Sequence, residues 1–151
     1  MRTLMSTIAA SAALAGSLVG AHPAQAAASD AGQLRNKDTG LCVERQDPAD
    51  RPLAVFMAEC DGGAKQQWVY SAAAETIRTP GTGLCLSTSS TSTIAAGACD
   101  SGLLVHWRFS ADGRIHQVDW GIGCVEDYRT QYLTWGACTN ETNEVWSLAA
   151  A

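Results

Sequence analysis

The chain has 151 residues, with 10 Lys+Arg against 15 Asp+Glu, a formal charge of −5 and a pI near 5.0. That length suits one domain of ordinary size, and the acidic balance leaves no basic footprint for nucleic acid or an anionic membrane surface. Charged residues at 17% and apolar residues at 46% argue for a packed core rather than disorder, and the 6 cysteines need an explanation.

The first element reads as a leader. Met1-Arg2-Thr3 supplies a positive start, residues 4–19 form an Ala/Leu-rich apolar stretch, and Ala24-Gln25-Ala26 has the A-x-A form of a cleavage site. Residues 1–26 read as a secretory signal peptide, with 27–151 as the mature domain. The stretch is short for a membrane anchor and is interrupted by Ser6, Ser11, Gly16 and Ser17; no later segment approaches a spanning length. The expected location is extracellular, without membrane insertion, where paired thiols persist as disulfides. The Ala-rich leader and 8 Arg against 2 Lys suggest a bacterial protein from a GC-rich genome.

Three units follow, at about 33–72, 73–111 and 112–149. Trp68, Trp107 and Trp146 stand 39 residues apart, and each has a cysteine eight residues before it: Cys60, Cys99 and Cys138. A second cysteine opens each unit in Gly40-Leu41-Cys42, Gly83-Leu84-Cys85 and Gly121-Ile122-Gly123-Cys124, preceded in turn by Leu34-Arg35-Asn36, Ile77-Arg78-Thr79 and Ile115-His116-Gln117. Within a unit the apolar residues form short alternating runs such as Leu53-Ala54-Val55-Phe56-Met57, separated by Gly, Asp, Thr and Pro. That pattern predicts short strands and tight turns, so the chain is expected to be all-β, and four strands per unit would give twelve.

A threefold repeat should use an equivalent bond in each copy, which leaves two natural pairings of the six cysteines. Either each unit bonds internally, or each second cysteine bonds the next unit's first. The cyclic choice makes Cys138 reach back to Cys42, whereas the internal choice closes three short loops. The expected pairs are Cys42–Cys60, Cys85–Cys99 and Cys124–Cys138. A metal site is the rival use of cysteine, but C-x-x-C is absent and no histidine cluster adjoins. No metal and no cofactor is expected.

The G-x-C opening, the second cysteine after two strands and Gln66-Gln67-Trp68 closing the first unit resemble the Q-x-W repeat of the ricin B-type lectin family, over essentially the whole mature chain. The resemblance implies a β-trefoil with a disulfide in each repeat and shallow sugar sites on its outer surface. Only the first Q-x-W is intact; the others read Val105-His106-Trp107 and Glu144-Val145-Trp146. A typical family site has a carboxylate two residues after the opening cysteine, a stacking ring two before the closing cysteine, and an Asn/Gln pair ahead of the tryptophan. Here the carboxylate positions are Glu44, Ser87 and Glu126, the ring positions are Ala58, Gly97 and Gly136, and the polar pairs are Lys65-Gln66, Leu104-Val105 and Asn143-Glu144. No copy keeps the ring, and the second copy loses the polar pair as well.

The densest polar-aromatic cluster is Glu126-Asp127-Tyr128-Arg129, with Tyr132, Asn140 and Asn143 nearby. Carbohydrate binding is therefore expected first in the third unit: Glu126 or Asp127 for the hydroxyls, Tyr128 or Tyr132 for the ring, Asn143 as a further polar group. Glu44, Phe56 and Gln66 form a weaker version in the first unit. Trp135 lies one residue from a ring position, but its two-residue phase with Leu133 points it inward. Trp120 occupies a longer turn and is a candidate partner contact, as is the insertion at 47–52.

Catalysis is not expected. Adjacent carboxylates on a shallow surface do not make a glycosidase cleft, and G-x-S-x-G, a P-loop and H-E-x-x-H are absent. The expectation is a secreted, non-catalytic module that binds a glycan through weak or altered sites. The alternative is an adaptor that has lost sugar binding and contacts a secreted or cell-surface protein, for example within a bacterial toxin assembly.

Overall fold

Alternating runs broken every few residues give strands too short to stand alone, so three similar units must share one core. The structure is a computed structural model that describes residues 31–46, 53–88, 92–121, 123–129 and 132–150. The expected leader and the 47–52 insertion lie outside them. Among the described residues twelve strands fall into three sets of four. The first set is β1 (Gly32–Asn36), β2 (Cys42–Arg45), β3 (Leu53–Ala58) and β4 (Gln67–Ser71). The second is β5 (Thr76–Arg78), β6 (Leu84–Thr88), β7 (Ile94–Ala98) and β8 (Trp107–Phe109). The third is β9 (Ile115–Gln117), β10 (Gly123–Glu126), β11 (Thr134–Ala137) and β12 (Trp146–Ala150).

The outer strands of each set form a barrel. β1 pairs with both β12 and β4, β4 pairs with β5, and β8 pairs with β9, all antiparallel. Single backbone bonds complete the ring: Trp107 N–H donates to the Glu75 carbonyl at 2.5 Å, and Trp146 N–H to the Gly113 carbonyl at 2.8 Å. The inner strands form three hairpins, β2–β3, β6–β7 and β10–β11. They meet around the threefold axis through the β3–β7 pairing and the bridges Thr93↔Thr134 and Phe56↔Tyr132. This is the β-trefoil that the repeat implied.

The repeating apolar residues are what meet inside. Leu34, Ile77 and Ile115, Val43, Leu86 and Val125, and Val55, Ile94 and Leu133 are all buried, with Trp68, Trp107 and Trp146 among them. A buried indole N–H needs an acceptor, and each finds the carbonyl of the residue after its own unit's opening cysteine. Trp68 donates to Val43 at 2.8 Å, Trp107 to Leu86 at 2.7 Å and Trp146 to Val125 at 2.9 Å. Asn36 and Gln117 are likewise buried and hold the turn that follows them, Asn36 Oδ1 accepting from Asp38 N and Thr39 N, and Gln117 Oε1 from Trp120 N.

The disulfides are Cys42–Cys60, Cys85–Cys99 and Cys124–Cys138, one inside each unit. Each clips the start of the inner hairpin to the chain just past its end. The opening cysteines are buried and the closing ones are exposed.

Candidate functional site

Two of the three ring positions are filled in ways the sequence alone does not display. At Gly136 an added Cβ would lie 2.6 Å from Oε1 of Glu126, so the Glu126 carboxylate itself fills the space a ring would need. At Gly97 an added Cβ would lie 2.9 Å from Leu103 Cδ1 and 3.1 Å from Ser87 Oγ, so Leu103 fills that space in the second unit. Near half-buried Ala58 of the first unit, the carboxylate of Glu44 takes a 2.8 Å hydrogen bond from Gln66 Nε2.

Gln66 is 1% exposed and fully engaged by the protein. Its Nε2 also donates to the Glu59 carbonyl at 2.7 Å, while its Oε1 accepts from Asp61 N at 2.9 Å and Gln33 Nε2 at 2.6 Å. The equivalent of Gln66 in the third unit is Glu144, 0% exposed, and the equivalent of Gln33 is Arg114. Glu144 accepts from Thr139 N at 2.5 Å, Thr139 Oγ1 at 2.8 Å, Asn140 N at 2.9 Å and Arg114 Nε at 3.3 Å. The second unit has Thr76 and Val105 at the same two places. The loss of Q-x-W is therefore a change of partners: an amide pair in the first unit becomes an ion pair in the third, while the second has a buried valine in place of the acceptor.

Burial pushes the Glu144 carboxyl up, but the bonds from Thr139, Arg114 and Asn140 outweigh it and hold the group below its ordinary value. Its contribution to stability is thus present above the ordinary carboxylate pKa and is lost as pH falls through the lowered one. Arg114→Gln is expected to cost about 1.5–3 kcal/mol, the range for a hydrogen bond to a charged group. Arg114→Gln/Glu144→Gln, which recreates the first unit's amide pair, should recover most of that loss in urea unfolding. A double variant no more stable than the single one would contradict the equivalence of the two pairs.

The third-unit cluster is divided by the fold. Asp127, Tyr128 and Asn143 line one recess of about 260 Å³ together with Asp38, Arg129, Glu141 and Thr142. Asp38 comes from the β1–β2 turn, so the recess lies where the first and third units meet. Arg129 Nη2 bonds Asp38 Oδ2 at 2.9 Å, Thr142 Oγ1 donates to Asp38 Oδ1 at 3.2 Å, and Thr39 Oγ1 donates to Asp127 Oδ2 at 2.8 Å. Asp127 is 1% exposed, and its other oxygen accepts from Arg129 N at 2.8 Å, which shapes the chain after β10. The Asn143 carbonyl accepts from Asn36 Nδ2 at 2.8 Å and Asp127 N at 3.1 Å, while its side-chain oxygen is buried without a hydrogen-bond partner among the described residues.

Tyr128 is 57% exposed at this recess. The Glu126 carboxylate beside it holds the phenol above its ordinary pKa. Glu126 is 4% exposed, and burial pushes its carboxyl up against the opposing effect of the Tyr128 bond, with the charges of Glu144 and Glu141 adding to the rise. Glu126 thus reaches the recess through Tyr128.

Tyr132 is 52% exposed, and its backbone bridges Phe56, which is half-buried and faces Glu44 across β2–β3. Trp120 is 53% exposed and stands edge-on to Trp135, ring centres 6.0 Å apart. Trp135 packs against the core over Gly123, whose added Cβ would lie 2.2 Å from the indole, and its Nε1 donates to Thr88 Oγ1 at 2.9 Å. Sequence reading did not single out Asp38, Glu141 or Thr142 for the site. Asp38 is about ninety positions from Tyr128, and a turn aspartate carries no local sign of the unit it will meet.

The ricin-type beta-trefoil lectin domain model matches residues 30–149. Among solved structures, the chain is similar to a non-toxic homologue of type II RIPs from Momordica charantia in complex with α-methyl-D-galactoside (TM-score 0.66, 20% identity, 78% of this chain and 47% of that one). It is also similar to the β-trefoil lectin of the Vibrio vulnificus hemolysin/cytolysin with N-acetyl-D-lactosamine bound (0.66, 17%, 80% and 94%) and to the C-half of the earthworm R-type lectin in complex with GalNAc (0.66, 11%, 81% and 99%). The chain spans about half the length of the Momordica protein. At these identities the likeness carries the fold. No curated protein matches the sequence.

Proposed function

The chain belongs to the ricin-type β-trefoil lectin family, and we propose that it is a secreted, non-catalytic module that binds carbohydrate at the recess between its third and first units. The observation that carries this reading is the exposed Tyr128 ring beside a recess rich in acceptors: Asp38, Asp127, Glu141 and the Asn143 side chain against one arginine. Sugar hydroxyls are donors that such a surface can satisfy, and the apolar face of a pyranose suits an aromatic platform. Glu126 acts here as a positioning residue, its carboxylate coupled to the Tyr128 phenol at the edge of the recess.

Galactose-configured ligands are the first to test, because the similar folds above were solved with α-methyl-D-galactoside, N-acetyl-D-lactosamine and GalNAc. A glycan array followed by titration calorimetry on the mature protein should show saturable binding. Tyr128→Ala should weaken it by about tenfold or more, the loss of roughly 1.4 kcal/mol of stacking and burial. Because the Glu126 carboxyl is raised, affinity should begin to fall on acidification at a higher pH than an ordinary carboxylate would set. Unchanged affinity in Tyr128→Ala would contradict the site.

A second reading, a protein-binding adaptor, has one observation in its favour. Trp120 is exposed on a partly buried Trp135, away from the recess. Absence of saturable glycan binding, together with a partner that co-purifies from the culture medium and is lost in Trp120→Ser, would favour it.

A further inference from the structure

The three disulfides share one layout but not one environment. In each, the opening cysteine is buried (Cys42 0%, Cys85 1%, Cys124 0% exposed) and the closing cysteine is exposed. An external thiolate can therefore attack only the outer sulfur, and the inner sulfur must leave as a buried thiolate. Exchange speeds up when the leaving thiol is more acidic, and burial makes a thiol less acidic. The inner cysteine thus resists reduction unless a group beside it takes up the charge.

The third unit supplies such a group. His116 stands opposite Cys124 in the β9–β10 register, and its Nδ1 lies 3.7 Å from Cys124 Sγ and 3.8 Å from Cys138 Sγ. On its other side Nε2 is 3.3 Å from Ser110 Oγ. That hydroxyl has its one proton directed to Asp112 Oδ1, with the Arg114 carbonyl 3.0 Å away as an alternative acceptor, so its oxygen is available to accept an N–H from the ring. With Nε2 turned to Ser110, Nδ1 is the nitrogen that faces the sulfurs. The matching residues of the other units are Arg35 and Arg78. Arg35 Nε donates instead to the Gly40 carbonyl at 2.9 Å. Among the described residues no basic side chain makes a polar contact with the sulfurs of Cys42–Cys60 or Cys85–Cys99. His116 also lines a recess of about 300 Å³ with Arg108, Ser110, Gln117, Val118 and Gly121, where Arg108 is paired with Glu75 at 2.7 Å.

The geometry points to Cys124–Cys138 as a thiol-modification site, at which a small thiol of the glutathione class forms a mixed disulfide on Cys138 with His116 as the proton donor. The incoming thiol loses its proton to solvent, and its thiolate bonds to Cys138 Sγ. The Cys124–Cys138 bond breaks, and its electron pair stays on Cys124 Sγ. The Nδ1–H of the His116 imidazolium then passes its proton to that sulfur, leaving a neutral imidazole and a buried thiol. One disulfide is exchanged for another, so no further oxidant or reductant enters. An imidazolium beside the leaving sulfur lowers the thiol pKa in the way that activates paired cysteines elsewhere.

The test is exposure of the fully oxidised mature protein to reduced glutathione, with acid quench, alkylation and peptide mapping to give a rate for each disulfide. Cys124–Cys138 should react about tenfold faster than Cys85–Cys99, which closes a loop of the same length. The adduct should sit on Cys138, with Cys124 recovered as the alkylated thiol. His116→Gln and His116→Ala should each slow this bond alone by about tenfold. A variant that merely loosened the unit would speed the reaction, so the direction separates the proposed role from a structural one. Equal rates at the three bonds, an adduct on Cys124, or unchanged or faster exchange in both variants would overturn the proposal.

Discussion

Trp107→Ala is expected to lower the unfolding free energy by about 3–5 kcal/mol, the range for deleting a buried aromatic side chain. Trp107 is 0% exposed and lies in the shared core with Trp68 and Trp146. Its removal opens a cavity that the short strands around it cannot collapse to fill, because both neighbouring units press on the same space. The Leu86 carbonyl also loses the 2.7 Å bond from the indole N–H, and an unpaired buried acceptor costs about 1–3 kcal/mol within that total. Trp107→Phe keeps much of the ring but not the donor and should cost less. Domains of this size are commonly stable by about 5–15 kcal/mol, so the alanine variant is expected to unfold at a markedly lower urea concentration than the parent. Urea titration followed by fluorescence checks this, and a loss under about 1 kcal/mol would contradict the placement of the indole in the core.

The second large effect is the loss of a disulfide. Cys42→Ala/Cys60→Ala should destabilise by about 3 kcal/mol, the chain-entropy value for a loop of this size. The bond spans 18 residues and joins the buried start of β2 to the exposed chain past β3, so its removal frees the insertion-bearing hairpin at both ends. Calorimetric melting of the double variant against the parent measures it, and an unchanged transition would mean that the hairpin is held by its pairing alone.

Much of the architecture was legible because the trefoil repeats its constraints at fixed intervals. Three tryptophans 39 residues apart, each with a cysteine eight before it, mark three equivalent places in one core, and the indole bonds to Val43, Leu86 and Val125 are the physical reason for that spacing. The recess was less legible. Its lining joins Asp38 to Tyr128 and Glu141 across the closure of the barrel by β1 and β12, and that contact has no local pattern in the chain. Gly136 in sequence is only a missing ring; in the structure it is the place taken by the Glu126 carboxylate. Glu144 in sequence is a broken motif, yet Arg114 thirty residues earlier is its partner, just as Gln33 is the partner of Gln66. That paired change was present in the sequence and becomes readable only when two positions of a unit are compared together.

The central claim, that this trefoil binds sugar at a unit junction rather than at the three usual ring positions, is tested most directly by an isotope-labelled NMR titration of the mature protein with the best ligand from the glycan array. Saturable shifts centred on Asp38, Tyr128, Glu141 and Asn143, moved to about tenfold or more higher glycan concentration in Tyr128→Ala, are the predicted result. Shifts centred on Glu44, Ala58 and Gln66, or none at any glycan concentration, would contradict it.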